Sequence, residues 1–313
     1  MKKETILITG GAGYIGTELA HRISKTYNVV IIDDLSTGTE KYLPPNIFFY
    51  QEDIRNTKSI STILKKHSCS TVIHLAGLKS VTQSLKNPDE YRDVNVNGTQ
   101  SILSAMSQAG SKRIIFSSTA AVYKPKENGV YIETDTVEPI SIYGKTKHEA
   151  EKLIINSGVN YLIFRFFNIA GTGSTLYKEG SPENVFPILA QSLYKKTTFP
   201  IYGSDHPTPD GTCIRDYIHL QDLINAHVLT LKKNKLTGII NLGTERGTSV
   251  KTLIQTFEDV SKKTLSTSLE NKRDGELAVS LASNKRAQEL LGWKPKKTLI
   301  QMVTDTIKIY GKT

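Results

Sequence analysis

The segment Ser141-Ile142-Tyr143-Gly144-Lys145-Thr146-Lys147 places a phenol and an ammonium four residues apart. On a helix, that spacing puts both side chains on one face. A tyrosine alone is a poor base at neutral pH, because its hydroxyl ionises near about 10. A neighbouring ammonium stabilises the phenolate and lowers that value. Thr119 ends the run Ser117-Ser118-Thr119, which follows an apolar stretch at Arg113–Phe116. Its hydroxyl could touch a substrate oxygen and relay a proton to Tyr143. A solvated surface Tyr–Lys pair is the competing interpretation, and the nucleotide-binding pattern at the start of the chain argues against it.

That pattern is Thr5 to Ser24, TILITGGAGYIGTELAHRIS. The apolar run Ile6-Leu7-Ile8 predicts a buried parallel strand. Gly10, Gly13 and Gly16 follow in a G-x-x-G-x-x-G spacing. Ile15, Leu19 and Ile23 then recur at four-residue intervals, as on one helix face. Glycines at a strand-to-helix turn let a pyrophosphate approach the backbone and the helix N-terminus, where free N–H groups and the helix dipole favour negative charge. Gly10, Gly13, Tyr14, Ile15 and Gly16 are therefore candidate cofactor contacts. A second apolar run, Val29–Ile32, ends in Asp33, where a dinucleotide fold places an acid for the adenosine ribose hydroxyls. Asp33 and Asp34 would repel a 2′-phosphate, so NAD is expected over NADP.

These residues need a scaffold, and the rest of the chain predicts one. Further strands are expected at Ile47–Tyr50, Thr71–Leu75, Arg113–Phe116, Tyr161–Phe164 and Ile239–Leu242, with helical patterns between them. The alternation implies an α/β fold, a doubly wound parallel (Rossmann) sheet, whose ligands lie beyond the carboxyl ends of the strands. Asp53 and Ile54 follow the third strand and could meet the adenine edge; Asp53 could equally start the next helix. Leu75, Ala76 and Gly77 end the fourth strand with small residues that let backbone approach a cofactor. His74, inside an apolar run, reads as a packed core histidine. Pro88–Gln108 predicts one long helix, interrupted in polarity at Asn95-Val96-Asn97-Gly98. Two asparagines in one turn ask for a reason: either hydrogen bonds from Asn95 to the active site or cofactor, or close packing at Gly98. Ser117 and Phe166 end strands on the cofactor side. The pattern changes after Asn168, and a smaller C-terminal α/β substrate-binding region is expected. The predicted division is 1–170 plus about 216–245 for the NAD-binding domain, and 171–215 plus about 246–313 for the second.

Lys and Arg number 40 against 30 acids, for a net charge of +10 in 313 residues. The lysines are scattered rather than blocked, so a cationic surface or a diphosphate site is expected and a nucleic-acid partner is not. Two cysteines, Cys69 and Cys213, make neither a disulfide framework nor a thiolate metal site. The absence of a long apolar stretch points away from a membrane or secretory signal and toward the cytoplasm.

The glycine fingerprint, Tyr143/Lys147 and SSTAAVY resemble the extended short-chain dehydrogenase/reductases. GGAGYIGTELA, DDLSTG, VIHLAGLKSV, NVNGT, FFNIAG and DGTCIRDYIHLQDL narrow the resemblance to the UDP-glucose 4-epimerases, over nearly the whole chain. The resemblance implies NAD as cofactor, a UDP-sugar as substrate and a homodimer formed through the helices containing Gln100 and Lys152. It implies that Tyr143, with Thr119 bridging, removes the 4-hydroxyl proton while hydride leaves C4 for NAD. The 4-keto sugar then turns over, and hydride returns to the other face. It assigns Arg215 and Asn168 to the substrate diphosphate, Asn184 and Val185 to the phosphates and uracil, and Tyr202 to the uracil. It also assigns Arg273 and Glu276 to ribose and phosphate, and Lys79 to the nicotinamide ribose.

The sequence departs from the family pattern in places. Thr119 stands where serine is usual, Lys124 where glycine is usual, and Glu276 where aspartate is usual. Ser280, by its spacing from Arg273, flanks the sugar pocket, and its small size leaves room for an N-acetyl group. Ala120-Ala121 after Thr119 argue against a 4,6-dehydratase, which needs an Asp-Glu pair there to eliminate water. A UDP-uronate 4-epimerase and a non-catalytic NAD-sensing protein remain as alternatives; the latter could dispense with Tyr143, Lys147 and Thr119, all of which are present.

Overall fold

The computed structural model describes residues 3–178, 184–273 and 275–311. In chain order it begins with β1 (Thr5–Thr9), α1 (Tyr14–Ile23), β2 (Asn28–Asp33), β3 (Phe48–Gln51), α2 (Thr57–His67), β4 (Thr71–His74), α3 (Val81–Lys86) and α4 (Pro88–Arg92). A π-helical turn, Asp93–Asn97, leads into α5 (Gly98–Ala109), followed by β5 (Arg113–Thr119), β6 (Val130–Tyr131), α6 (Ile142–Asn156) and β7 (Asn160–Phe166). The chain continues through β8 (Asn168–Ala170), α7 (Val185–Lys195), β9 (Phe199–Tyr202), β10 (Ile214–His219), α8 (Leu220–Leu231) and β11 (Gly238–Leu242). It ends with β12 (Gly247–Ser249), α9 (Val250–Ser261), β13 (Thr267–Glu270), β14 (Val279–Ala282), α10 (Lys285–Leu291) and α11 (Leu299–Tyr310).

Two compact units result. The first comprises Met1–Lys124, Thr136–Arg165 and Ala226–Ile240. Its sheet has seven strands in the order β11-β7-β5-β4-β1-β2-β3, and the pairings that join β5, β4, β1, β2 and β3 are parallel. The winding reverses between β1 and β4, the switch point of a doubly wound sheet. Ile6, Leu7, Ile8, Val30, Ile31, Ile32, Val72 and Ile73 are fully buried, as expected of strands covered on both faces. On one face of the sheet, Leu7, Val30, Ile32 and Val72 form an apolar core with Ile102, Met106, Ile154 and Ile163. Burial of each such side chain stabilises the fold by about 1.5–3 kcal/mol.

The single helix expected over Pro88–Gln108 is instead two helices joined by the π-turn. The cause is Asn95, buried in that turn. Its side chain accepts from Leu78 N at 2.8 Å and donates to Leu78 O and the Thr146 hydroxyl, each at 3.0 Å. Thr99 Oγ1 donates to Asn95 O at 2.6 Å. A side chain drawn into tertiary bonds widens the helical ladder locally.

The second unit comprises Pro125–Asp135, Phe166–Asn225 and Asn241–Thr313. Its main sheet runs β12-β10-β14-β6, with β8 also pairing with β10, and β13 pairs with β9 separately. Phe186, Leu189, Phe257, Met302 and Val303 form its core. The boundaries differ from the expected ones because β10 belongs to this second sheet, taking residues 216–225 with it, and because β6 adds Val130–Tyr131 to β14. Asn168 opens β8, pairing with Tyr217 of β10.

Candidate functional site

In the first unit, the glycine loop leaves β1, Leu75–Gly77 leave β4, and Thr119 ends β5. These neighbouring strands are parallel, so all three lie beyond the same carboxyl edge. Gly10 has φ +66°, and a Cβ there would come within 2.7 Å of the Ala76 amide nitrogen. A Cβ on Gly16 would lie 2.4 Å from Gly10 O. These two glycines allow the loop to fold against β4 and α1 to start immediately beneath it. Gly13 differs: the protein leaves it room, and it is the N-cap of α1 with no side-chain cap. Tyr14 and Ile15, both partly exposed, form the first turn behind it.

Asp33 is buried, and burial raises its pKa. Its oxygens accept from Ala12 N and Leu35 N, both at 2.9 Å, so it also shapes the glycine loop. Asp34 closes a turn on Ser36 N at 2.9 Å. Asp53 is bound by Arg55, whose Nε lies 2.9 Å from Oδ1, and that guanidinium holds the carboxyl below its ordinary range. Ile54 is a core residue against α5 rather than a surface contact. Lys79 is exposed on the loop after β4. Asn95 is committed to Leu78 and Thr146, which makes it a brace for α6. Ser117 is buried, and among the described residues its hydroxyl has no hydrogen-bond partner.

Helix α6 presents Tyr143 and Lys147 as their spacing predicts. Its N-cap, Ser141, accepts from Gly144 N at 3.0 Å, and Tyr143 N donates to Ser84 Oγ at 3.2 Å. The Thr119 hydroxyl lies near enough to the Tyr143 phenol to favour its ionised form. Burial pushes that phenol up to about 12, against the lowering effect of Thr119 and with a smaller upward push from Tyr91. Burial likewise pushes Lys147 down to about 7, with Glu151 acting in the opposite direction. The expectation that Lys147 would bring the phenol below its ordinary value is therefore not met by these side chains alone: desolvation of the phenol exceeds the lowering effect of Thr119. His74, pushed down to about 3 by burial and by Lys147, stays neutral. Thr9 Oγ1 lies 2.7 Å from its Nδ1, and Thr99 Oγ1 lies 3.1 Å from its Nε2. It is a core histidine, as expected.

In the second unit, β10 and β14 bring Arg215 and Ser280 into direct register. Arg215 donates to Leu277 O at 2.7 Å and lies 3.4 Å from Glu276. The Arg273 guanidinium lies 3.8 Å from the centroid of the Tyr202 ring. Asn168 Nδ2 donates to Asp216 O at 3.2 Å. Asn184 caps α7, accepting from Phe186 N at 3.2 Å and donating to Ile169 O at 2.6 Å, and Val185 begins that helix. Phe166 is buried at the end of β7.

Residues 6–243 match the family described as NAD dependent epimerase/dehydratase. The chain belongs to that family. A UDP-glucose 4-epimerase of Halalkalibacterium halodurans is 37% identical over 312 residues, which cover 96% of this chain and 93% of the relative. A crystal structure of UDP-glucose-4-epimerase from Stenotrophomonas maltophila, with bound NAD and formylated UDP-arabinopyranose, is 34% identical, with a TM-score of 0.94 and 98% of each chain covered. The enzyme from Bifidobacterium longum in complex with NAD+ and UDP is 30% identical, with a TM-score of 0.90 and again 98% of each chain covered.

NAD is the family's cofactor, and the first unit fits it. Gly13 has space that no protein atom requires, α1 has an uncapped N-terminus suited to a pyrophosphate, and the Ser117 hydroxyl awaits a partner.

Three residues of the site escaped the sequence reading: Ser118, Glu151 and Arg165, which form a buried cluster behind Thr119 and α6. Only Glu151 left a usable signal, standing four residues beyond Lys147 on the same helix face. Asp216 was missed as well. Its carboxylate accepts from Thr244 N, Thr244 Oγ1, Glu245 N and Ala282 N, at 2.6–3.1 Å, and ties the strands that carry Arg215 and Ser280.

Proposed function

We propose that this chain interconverts UDP-glucose and UDP-galactose by inverting C4 of the hexose. The observation that carries the proposal is the pairing of the Thr119 hydroxyl with the Tyr143 phenol at the carboxyl edge of an NAD-family sheet, with Lys147 one turn along α6 and Ala120-Ala121 where a dehydratase needs acids. Bound NAD supplies a reversible acceptor for the C4 hydride. Tyr143 takes the 4-hydroxyl proton, with the Thr119 hydroxyl between base and sugar, and returns it to the inverted alcohol. Lys147 offsets the charge that develops on the phenol. Gly10, Gly13, Tyr14, Ile15, Gly16 and Asp33 hold the pyrophosphate and adenosine ribose. Asp34, Asp53, Ile54, Leu75, Ala76, Gly77, Lys79, Asn95, Ser117 and Phe166 complete the cofactor surroundings. Ile54 and Asn95 do so through packing and bracing. Arg215 and Asn168 bind the diphosphate, Arg273 and Glu276 the ribose and phosphate, and Asn184, Val185 and Tyr202 the uracil end.

The small Ser280 beside Arg215 supports acceptance of the N-acetylated pair, UDP-N-acetylglucosamine and UDP-N-acetylgalactosamine. A homodimer through α5 and α6 is supported by the surface groove those helices share, lined by Gln100, Leu103, Ser104, Lys152, Leu153 and Asn156. A cytoplasmic setting is supported by two buried free thiols, Cys69 and Cys213. Among the described residues, no helix is long and apolar enough to cross a membrane.

The test is incubation of the purified protein with UDP-galactose without added NAD. Formation of UDP-glucose, with a C4 deuterium retained on the sugar, is expected. Loss of that deuterium to solvent would overturn the hydride route, and turnover of UDP-uronates alone would favour the uronate reading.

A further inference from the structure

Helix α6 carries a third ionisable group on the catalytic face, Glu151, one turn beyond Lys147. Its side chain is 1% exposed. Oε1 accepts from Ser118 Oγ at 2.5 Å and from Arg165 Nε at 3.0 Å, while Oε2 accepts from Arg165 Nη2 at 2.7 Å. Nδ1 of His148 stands 3.9 Å from Oε2. Arg165 lies near the end of β7, its guanidinium 4.7 Å from the centroid of the Tyr123 ring, just beyond Ala120–Val122. One carboxylate therefore joins β5, α6 and β7. A buried ion pair is weak evidence for stability, since desolvation offsets much of its attraction. Its geometric effect here is specific: Ser118 immediately precedes Thr119, and Glu151 shares a helix with Tyr143.

We propose that Glu151 is a positioning residue that, acting through Ser118, sets the distance between the Thr119 hydroxyl and the Tyr143 phenol. This inference rests on the reaction proposed above. Small errors of placement at a proton-transfer pair are costly, reaching about a hundredfold for a misplacement of about 1 Å. Nothing in this role requires Glu151 or Ser118 to touch the substrate.

The test is a double-mutant cycle on steady-state conversion of UDP-galactose, comparing the parent, Ser118→Ala, Thr119→Ala and the double variant. Ser118→Ala removes only the hydroxyl facing the carboxylate and leaves the Glu151–Arg165 pair. Its kcat should fall by at least about tenfold while KM moves by less than about threefold. In the Thr119→Ala background, the same substitution should change kcat by less than about twofold, because the group it positions is gone. Glu151→Gln should show the same coupling to Thr119→Ala; should it fail to fold, the serine variants decide alone. A parent-like kcat for Ser118→Ala, or losses that multiply in the double variant, overturns the positioning role. A parent that forms no UDP-glucose overturns the proposed reaction, and this inference with it.

Discussion

The ammonium of Lys147 stands 4.3 Å from the centroid of the Phe116 ring, over an aromatic face and away from bulk water. Burial lowers its pKa from 10.5 to about 7. The unfolded chain would therefore bind more protons than the folded one between those values, so stability rises with pH across that window. Tyr143 acts in the opposite sense and higher up: burial raises its pKa from 10.0 to about 12, so stability falls as pH climbs past 10.0. Denaturant melts of the cofactor-free protein from pH 7 to 9.5 should show a midpoint that increases with pH. In Lys147→Met that increase should be largely lost. A pH-independent difference between the two proteins would sink the assignment.

Removing the Tyr143 hydroxyl isolates the proposed base. Tyr143→Phe keeps the ring and the helix while deleting the proton acceptor. UDP-galactose turnover should drop by at least about a hundredfold, as for loss of a general base. NAD content of the purified variant should match the parent. Normal turnover would remove Tyr143 from the mechanism.

The legible parts of this chain are those whose physics is local. Ile6–Ile8, Gly10, Gly13 and Gly16 predict a strand, a turn and a helix because each depends on near neighbours, and the structure shows β1 and α1 at that place. Tyr143 and Lys147 are four apart on a real helix, so their shared face is likewise a short-range fact. What stayed hidden depends on distant partners. The π-turn at Asn95 forms because Leu78 and Thr146 claim its side chain. The raised pKa of Tyr143 comes from burial, which spacing alone does not reveal. The same holds for β10, whose pairing with β8, β12 and β14 moves residues 216–225 into the second unit.

Asp216 offers a stability prediction from that hidden class. Burial raises its pKa, yet both of its oxygens are surrounded by donors, two of them the backbone N–H groups of Glu245 and Ala282 on Oδ2. Asp216→Asn would direct an amide N–H₂ at donors on one side or the other. The expected cost is about 1–3 kcal/mol, the range for leaving buried groups unsatisfied. It would register as a lower denaturant midpoint at an unchanged slope. A midpoint equal to that of the parent would show that the cluster relaxes without cost.

Arg215 tests the nucleotide end. Its guanidinium reaches Leu277 O, Ile214 O and Glu276 from one planar group. Lysine keeps the charge but loses that fork and any bidentate phosphate contact. Arg215→Lys should raise KM for UDP-galactose by about tenfold, while kcat falls less than KM rises. An unchanged KM would place the diphosphate elsewhere.

Ser280 tests specificity, and its argument runs from register to shape. Parallel pairing sets it beside Arg215 on the neighbouring strand, so its side chain stands next to the residue proposed to hold the diphosphate that leads to the sugar. Serine leaves the volume an N-acetyl group would occupy; tyrosine would fill it. Apolar filling of a pocket discriminates modestly, by about 10–200-fold for small groups, but a bulky ring that overlaps the acetyl group acts by exclusion. The parent should therefore convert both UDP-galactose and UDP-N-acetylgalactosamine. In Ser280→Tyr, kcat/KM for the N-acetylated substrate should fall by at least about tenfold, with the plain sugar within about threefold of the parent. Equal losses on both substrates would mean that tyrosine damages the site in general. A parent that ignores the N-acetylated sugar would mean that another residue closes the pocket.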